Sequence, residues 1–143
     1  MTRSKMVSML IVLLLLAACN GTATNQPAVE VVGKQVSVDG GSYTDVSVAE
    51  LQTMLANKDF TFVNVHIPFE GDIAGTDLSI PYDQIAQNLD KLQDKNAKIV
   101  LYCRSGRMSA IAAETLVGLG YTNIWNLDGG MVDWEQAGYT IER

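Results

Sequence analysis

Apolar residues fall in two rhythms along this chain, and the two alternate. Val48, Leu51, Met54 and Leu55 recur at helical spacing, and Ser47 with Glu50 makes a capping-box pattern that opens that helix. Phe60 to Val65 is aromatic and β-branched, which predicts a buried strand. Pro68 to Pro81 carries Gly71, Asp72, Gly75 and Asp77 and predicts a long loop. Tyr82, Ile85, Ala86, Leu89 and Leu92 return to helical spacing, and Ile99 to Tyr102 is a continuous apolar strand. Met108, Ile111, Ala112, Thr115, Leu116 and Leu119 predict another helix, closed by Gly118 and Gly120. Ile124 to Leu127 predicts a further strand, Asp128-Gly129-Gly130 a turn, and Met131, Trp134 and Ala137 a last helix that stops at Gly138.

Strands alternating with helices predict an α/β domain, with a small parallel sheet of four to five strands and helices on both faces. Apolar runs without alternation suit strands covered on both sides. Upstream, Val29 to Val32 and Gln35 to Val38 alternate weakly, and either can add an edge strand.

The first residues read differently. Arg3 and Lys5 precede an apolar run from Met6 to Leu16, followed by Ala17-Ala18-Cys19. A charged start, a short hydrophobic stretch and small residues before a cleavage point make a secretory signal. The run falls short of the roughly 20 residues that cross a bilayer as a helix. Leu16 to Cys19 resembles a bacterial lipobox, which implies that Cys19 carries a thioether-linked lipid and becomes the mature N-terminus. An uncleaved anchor with an incidental cysteine is the alternative. The expected organisation is a lipoprotein signal peptide over 1–18, a lipid-anchored tether over 19–42 and one domain over 43–143. The expected location is the bacterial cell envelope, extracytoplasmic and held to a membrane by the N-terminal lipid.

The chain has 143 residues and 48% apolar content, enough for one domain with a real core. Its net charge of −6 argues against nucleic acid as a partner, since phosphate contacts need clustered Lys and Arg. With Cys19 in the anchor, Cys103 is the domain's lone thiol, a pattern that in an oxidising compartment flags reactivity. One histidine and one remaining cysteine do not make a metal site, and no cofactor is called for.

In parallel sheets ligands bind where strands end and helices begin, which points to the segment after Tyr102. That segment is Cys103-Arg104-Ser105-Gly106-Arg107-Met108-Ser109. The first N–H groups of a helix lack partners within it and, with the helix dipole, favour an anion. Gly106 permits the tight conformation of a loop of N–H donors, and Arg104 and Arg107 add positive charge. Each term favours thiolate over thiol, so Cys103 is expected to be a nucleophile in a cradle for an anionic substrate. A buried structural thiol is the bland alternative.

This loop closely resembles the active-site loop of the rhodanese-like sulfurtransferases. The resemblance covers about residues 42–140, including Ser47 to Leu51, Leu127 to Gly130 and Trp134. It implies that Cys103 takes the outer sulfur of a small anionic donor such as thiosulfate, forming a persulfide. The cradle of Arg104, Ser105, Gly106, Arg107, Met108 and Ser109 would bind the donor, and an external thiol or cyanide would accept the sulfur. The chain departs from the family at Val63-Asn64-Val65-His66, where Asp and Arg usually stand in place of Asn64 and His66; Glu70 follows as expected. His66 reads either as a hydrogen-bonded residue at a strand end or as a general base. Trp125 and Trp134 read as core, and Asp128 as the cap of the last helix.

Competing functions are a non-catalytic binding module in the envelope and, on related loops, an arsenate reductase or phosphatase. Phosphatases place an arginine six positions after the cysteine, where this chain has Ser109.

Overall fold

The strand at Ile99–Tyr102 (β5) is buried at all four positions, and its side chains alternate between two cores. Ile99 and Leu101, with Cys103 just beyond, join Val63, Val65, Ala112, Ala113 and Leu116 on one side. Val100 and Tyr102 join Phe62, Leu51, Met131 and Trp134 on the other. A strand covered on both faces needs no polar side, which is why its sequence shows no alternation. Burying each large apolar side chain here contributes about 1.5–3 kcal/mol.

The structure, a computed structural model, describes residues 29–143. In chain order its elements are β1 (Lys34–Val38), β2 (Gly41–Val46), α1 (Val48–Ala56), β3 (Thr61–Asn64) and β4 (Leu78–Ser79). Two 3-10 segments follow (Tyr82–Gln87 and Leu89–Lys91), then β5, α2 (Arg107–Gly118), β6 (Ile124–Leu127) and α3 (Gly130–Gln136). The six strands form one sheet in the order β1-β2-β6-β5-β3-β4. β1 and β2 are an antiparallel hairpin, and every other neighbouring pair is parallel. The expected α/β class with a parallel sheet is what forms, widened by a hairpin at one edge and a two-residue strand at the other.

Four details depart from the sequence reading. The sheet starts at Lys34, within the stretch read as tether, where the weak alternation over Gln35 to Val38 does form an edge strand, with Val36 and Val38 turned inward and Ser37 exposed. Leu78–Ser79 pairs with Val63 and Asn64 inside the stretch read as loop. The helix expected from Tyr82 is instead two 3-10 segments, whose cap N–H groups reach carbonyls three residues back, as in Asn88 to Ile85. In that geometry positions three apart eclipse, which suits Tyr82 with Ile85 and Leu89 with Leu92 and leaves Ala86 exposed. The buried stripe of α2 is Ser109, Ala112, Ala113, Leu116 and Val117, so Leu119 faces solvent and Ser109 faces the core.

Among the described residues, no helix is long and apolar enough to cross a membrane. The signal segment and Cys19 lie outside the described residues.

Candidate active site

Parallel strands β5 and β3 end side by side, with Asn64 opposite Tyr102, so the segments that follow them meet at one edge of the sheet. The segment after β5 is the Cys103 loop. Gly106 closes it at φ +91°, a left-handed backbone that glycine adopts without strain, and serves as the N-cap residue of α2. A side chain there would also press on the Gly129 backbone N at 3.2 Å. The turn brings the Gly106 N–H to Cys103 Sγ at 3.1 Å, and the Ser109 hydroxyl, with one proton to give, lies 3.4 Å from the same sulfur and 3.1 Å from Gly106 O. Cys103 is a free thiol, 1% exposed.

Charge at this helix end is arranged against helix stability and in favour of an anion. Capped helices usually carry an acid in the first turn, as α1 does with Glu50. The first turn of α2 has no acid and instead begins with Arg107, whose side chain has no salt-bridge partner among the described residues. A cation at the positive end of a helix costs a few tenths of a kcal/mol, which an anion bound there would offset.

The loop's carbonyls are used elsewhere. Cys103 O accepts from Met131 N and Arg104 O from Val132 N, both at 2.9 Å, so α3 docks its first turn onto the loop. Gly130 permits the approach: a Cβ on it would lie 2.4 Å from Cys103 O. Here the expectation for Asp128 is corrected. Gly129, at φ +78°, is the N-cap residue and makes no side-chain capping bond, while Asp128 is exposed and its own N–H bonds Val46 O. The carbonyls of the Cys103 loop satisfy N–H groups that a capping side chain would otherwise serve.

The segment after β3 supplies residues whose contacts the sequence did not reveal. Asn64 is fully buried and uses its whole amide: Nδ2 donates to Gly71 O and Asp72 Oδ1, both at 2.9 Å, and Oδ1 accepts from His66 N at 3.0 Å. Tyr102 Oη donates to the same Asp72 oxygen at 3.1 Å and accepts from Ile73 N. Burial holds that phenol well above the usual tyrosine range. Glu70 Oε2 accepts from His66 Nε2 at 2.5 Å and from Arg104 Nη1 at 3.3 Å. The His66 hydrogen bond, with Arg104 nearby, holds the Glu70 carboxyl below the ordinary range. The pairing of His66 with Glu70 is visible as an i,i+4 spacing; that of Glu70 with Arg104 spans 34 residues and has no local signal.

Of the predicted residues, Cys103, Gly106 and Ser109 converge on the sulfur. Arg104 turns to Glu70, while Arg107 and Ser105 are exposed and Met108 packs partly into the core. Trp134 is core, while Trp125 is only partly buried.

A family model for the rhodanese-like domain matches residues 47–137. A tRNA uridine(34) hydroxylase from Erwinia tasmaniensis is 32% identical over 103 residues, which is 67% of this chain and 29% of that protein. The chain therefore spans less than a third of the length of that relative. A rhodanese-like domain protein from Staphylococcus aureus superposes with a TM-score of 0.59 at 31% identity, over 69% of this chain and 98% of the other. A rhodanese-related protein from Thermoplasma volcanium gives a TM-score of 0.58 at 31% identity, over 68% and 95%. With a cysteine at the head of its loop, a matching model over most of the domain and these structural relatives, the chain belongs to the rhodanese-like domain family.

Proposed function

We propose that this protein is a sulfurtransferase that accepts sulfane sulfur, from thiosulfate or a persulfide, on Cys103 and passes it to an external thiol or to cyanide. The observation that carries this is the placing of Sγ beneath the Gly106 N–H and the Ser109 hydroxyl, at a helix start with no acid and two nearby arginines. The Cys103 thiolate attacks the outer sulfur of thiosulfate. The S–S bond breaks, sulfite leaves with the electron pair, and a persulfide anion remains on Cys103. An acceptor thiolate or cyanide then attacks that outer sulfur and returns Cys103 as thiolate. The described residues hold no second cysteine, so the acceptor is external.

A phosphatase reading is disfavoured by Ser109, which stands where a phosphate-clamping arginine would be needed and whose hydroxyl lies between Gly106 O and Sγ. We further propose, from the sequence of residues 1–19, that the domain works on the outer side of a bacterial membrane, tethered through lipid on Cys19.

The purified protein is incubated with thiosulfate and cyanide, thiocyanate is followed, and the thiosulfate-treated protein is weighed for one added sulfur atom. Cys103→Ser is expected to lose both signals; equal behaviour of the two proteins sinks the assignment. Cys19→Ala is expected to release the chain from membranes, and continued lipid-dependent attachment refutes the anchor.

A further inference from the structure

The sheet ends on one side at β4, a strand of two residues, and on the other at β1, a strand of five. An open edge is a row of unpaired backbone groups, and folds usually blunt it with proline, a bulge or an inward charge. β1 reads Lys-Gln-Val-Ser-Val, in unbroken register with β2 and with a single charge, at its first position. A two-residue turn, Asp39-Gly40, joins the two strands with Val38 opposite Gly41, and the residues flanking such a turn are hydrogen-bonded to each other. Bonded and non-bonded pairs alternate along an antiparallel ladder. Val38, Val36 and Lys34 therefore spend their backbone groups on β2, while Gln35 and Ser37 aim theirs out of the sheet. Among the described residues no other backbone group bonds them. The chain just before β1 is drawn to α1 instead, where Val32 N and Gly33 N donate to Glu50 Oε1.

We propose that β1 is a docking edge for a second copy of this chain, paired antiparallel about Val36 so that two six-stranded sheets join into one of twelve. In that register Gln35 of each copy stands opposite Ser37 of the other, and their outward groups exchange four hydrogen bonds across the junction. The two-fold axis is perpendicular to the sheet, so both copies keep Val36 and Val38 on the same face. Lys34 shares that face and comes to lie opposite Val38 of the second copy. Beside Val38 is an open cavity of about 560 Å3 lined by Asp39, Glu114, Thr115 and Gly118. Lys34, Asp39 and Glu114 make no salt bridge among the described residues, although Lys34 stands opposite Asp45 in the hairpin. Burial, then the Asp45 and Glu114 carboxylates, hold the Tyr43 phenol above its usual range, so Glu114 stands near the rung that Tyr43 makes with Val36. One cation therefore meets two acids at each end of the junction. A one-residue slip would turn the two core faces opposite ways, and a parallel pairing would set Lys34 against Lys34.

The junction is one strand with two charged rims, at the small end of specific interfaces, so association is expected at about 10–100 µM. Cys103 follows β5, the fourth strand in from this edge. The two nucleophiles are then seven strand spacings apart, roughly 30–35 Å, and neither loop is covered. Pairing through β1 therefore stands or falls separately from the sulfurtransferase reading.

The purified full-length chain is followed by sedimentation velocity from about 1 to 500 µM, and its weight-average sedimentation coefficient is expected to climb from monomer to dimer. Ser37→Pro removes an outward N–H and no bond to β2, a place where edge strands tolerate proline. It is expected to raise Kd by at least about tenfold while the urea midpoint stays near that of wild type. Lys34→Glu, an exposed change that keeps the test readable if proline unfolds the hairpin, is expected to raise Kd about threefold to tenfold. Adding Glu114→Lys to Lys34→Glu should recover most of the lost affinity, which a change that merely damaged the strand would not allow. A chain that stays monomeric over the whole range overturns the inference, and so does a dimer indifferent to a folded Ser37→Pro. A dimer that Ser37→Pro weakens and Lys34→Glu does not overturns the register about Val36.

Discussion

Replacing Gly130 by alanine tests the claim that α3 holds the Cys103 loop in shape. Gly130 lies at φ +59°, in the left-handed region, so alanine costs about 1 kcal/mol in backbone strain. Its Cβ would sit 2.4 Å from Cys103 O and 2.8 Å from Arg104 O, where ordinary contact begins at 3.4 Å. Backbone cannot swing aside as a side chain can, so loop and helix must part by about 1 Å. That separation weakens or breaks the two 2.9 Å bonds from Met131 N and Val132 N, each contributing about 1 kcal/mol. The expected total is about 2–4 kcal/mol, read by urea denaturation as a lower midpoint at unchanged slope. A displacement of that size at a reacting loop costs on the order of 10–100-fold in rate, read as thiocyanate formation from thiosulfate and cyanide. Gly138→Ala is the control, with a similar backbone at φ +91° but nothing within 4 Å of the added Cβ. It is expected to lose about 1 kcal/mol and no activity. If Gly130→Ala is no worse than Gly138→Ala in both assays, the docking of α3 does not shape the loop.

Ser109→Ala removes the hydroxyl that lies against both Sγ and Gly106 O, and should lower sulfur transfer about threefold to tenfold while costing about 1 kcal/mol of stability or less. Glu50 is held down to about 2 by the N–H groups of Ser47 and Gly33, with the Ser47 hydroxyl and Val32 N–H adding to them. Because its folded value lies below the ordinary 4.5, its stabilisation is present above that pH and fades as pH falls towards 2. The stability gap between wild type and Glu50→Gln should thus be about 1–2 kcal/mol at neutral pH, kept small by solvent, and close between about pH 5 and 2. Asn64→Asp sets a buried carboxylate against Asp72 and Gly71 O and should cost about 2–4 kcal/mol at neutral pH. Acid should restore part of it, since one carboxyl of such a pair favours its proton, and Asp72→Asn should restore part at neutral pH; no rescue by either would refute the direct contact.

What could be read from the chain itself was local. The Ser47–Glu50 capping box forms with both reciprocal bonds, because its partners lie three residues apart and need no other part of the fold. The Cys103 loop was legible because helix-start physics belongs to its own seven residues. β1 was only half visible, since one neighbour and mostly exposed positions leave little hydrophobic signature. The 3-10 segments differ from the expected α-helix because pairs three apart satisfy both geometries, and packing against α2 decides. The Glu70–Arg104 contact and the docking of α3 were invisible for another reason. They join segments 34 and 28 residues apart, and the residues involved read locally as surface charge and as a glycine turn.

That docking also bears on the cradle itself. In a trans peptide the carbonyl of one residue and the N–H of the next point in opposite directions. The only cis peptide among the described residues is Ile67–Pro68, so the peptides of the Cys103 loop obey this rule. Cys103 O and Arg104 O both point at α3, so the N–H groups of Arg104 and Ser105 point away from it. α3 packs its Met131 and Trp134 into one core, whereas the Cys103 side chain belongs to the other. The Arg104 and Ser105 amides therefore make no contact with α3, and the loop amide that reaches Sγ is that of Gly106. Two hydrogen bonds on the far side of the loop thus fix the peptide planes that lead from Cys103 to that donor. A glycine at position 130 is required because the helix must come close enough to make them.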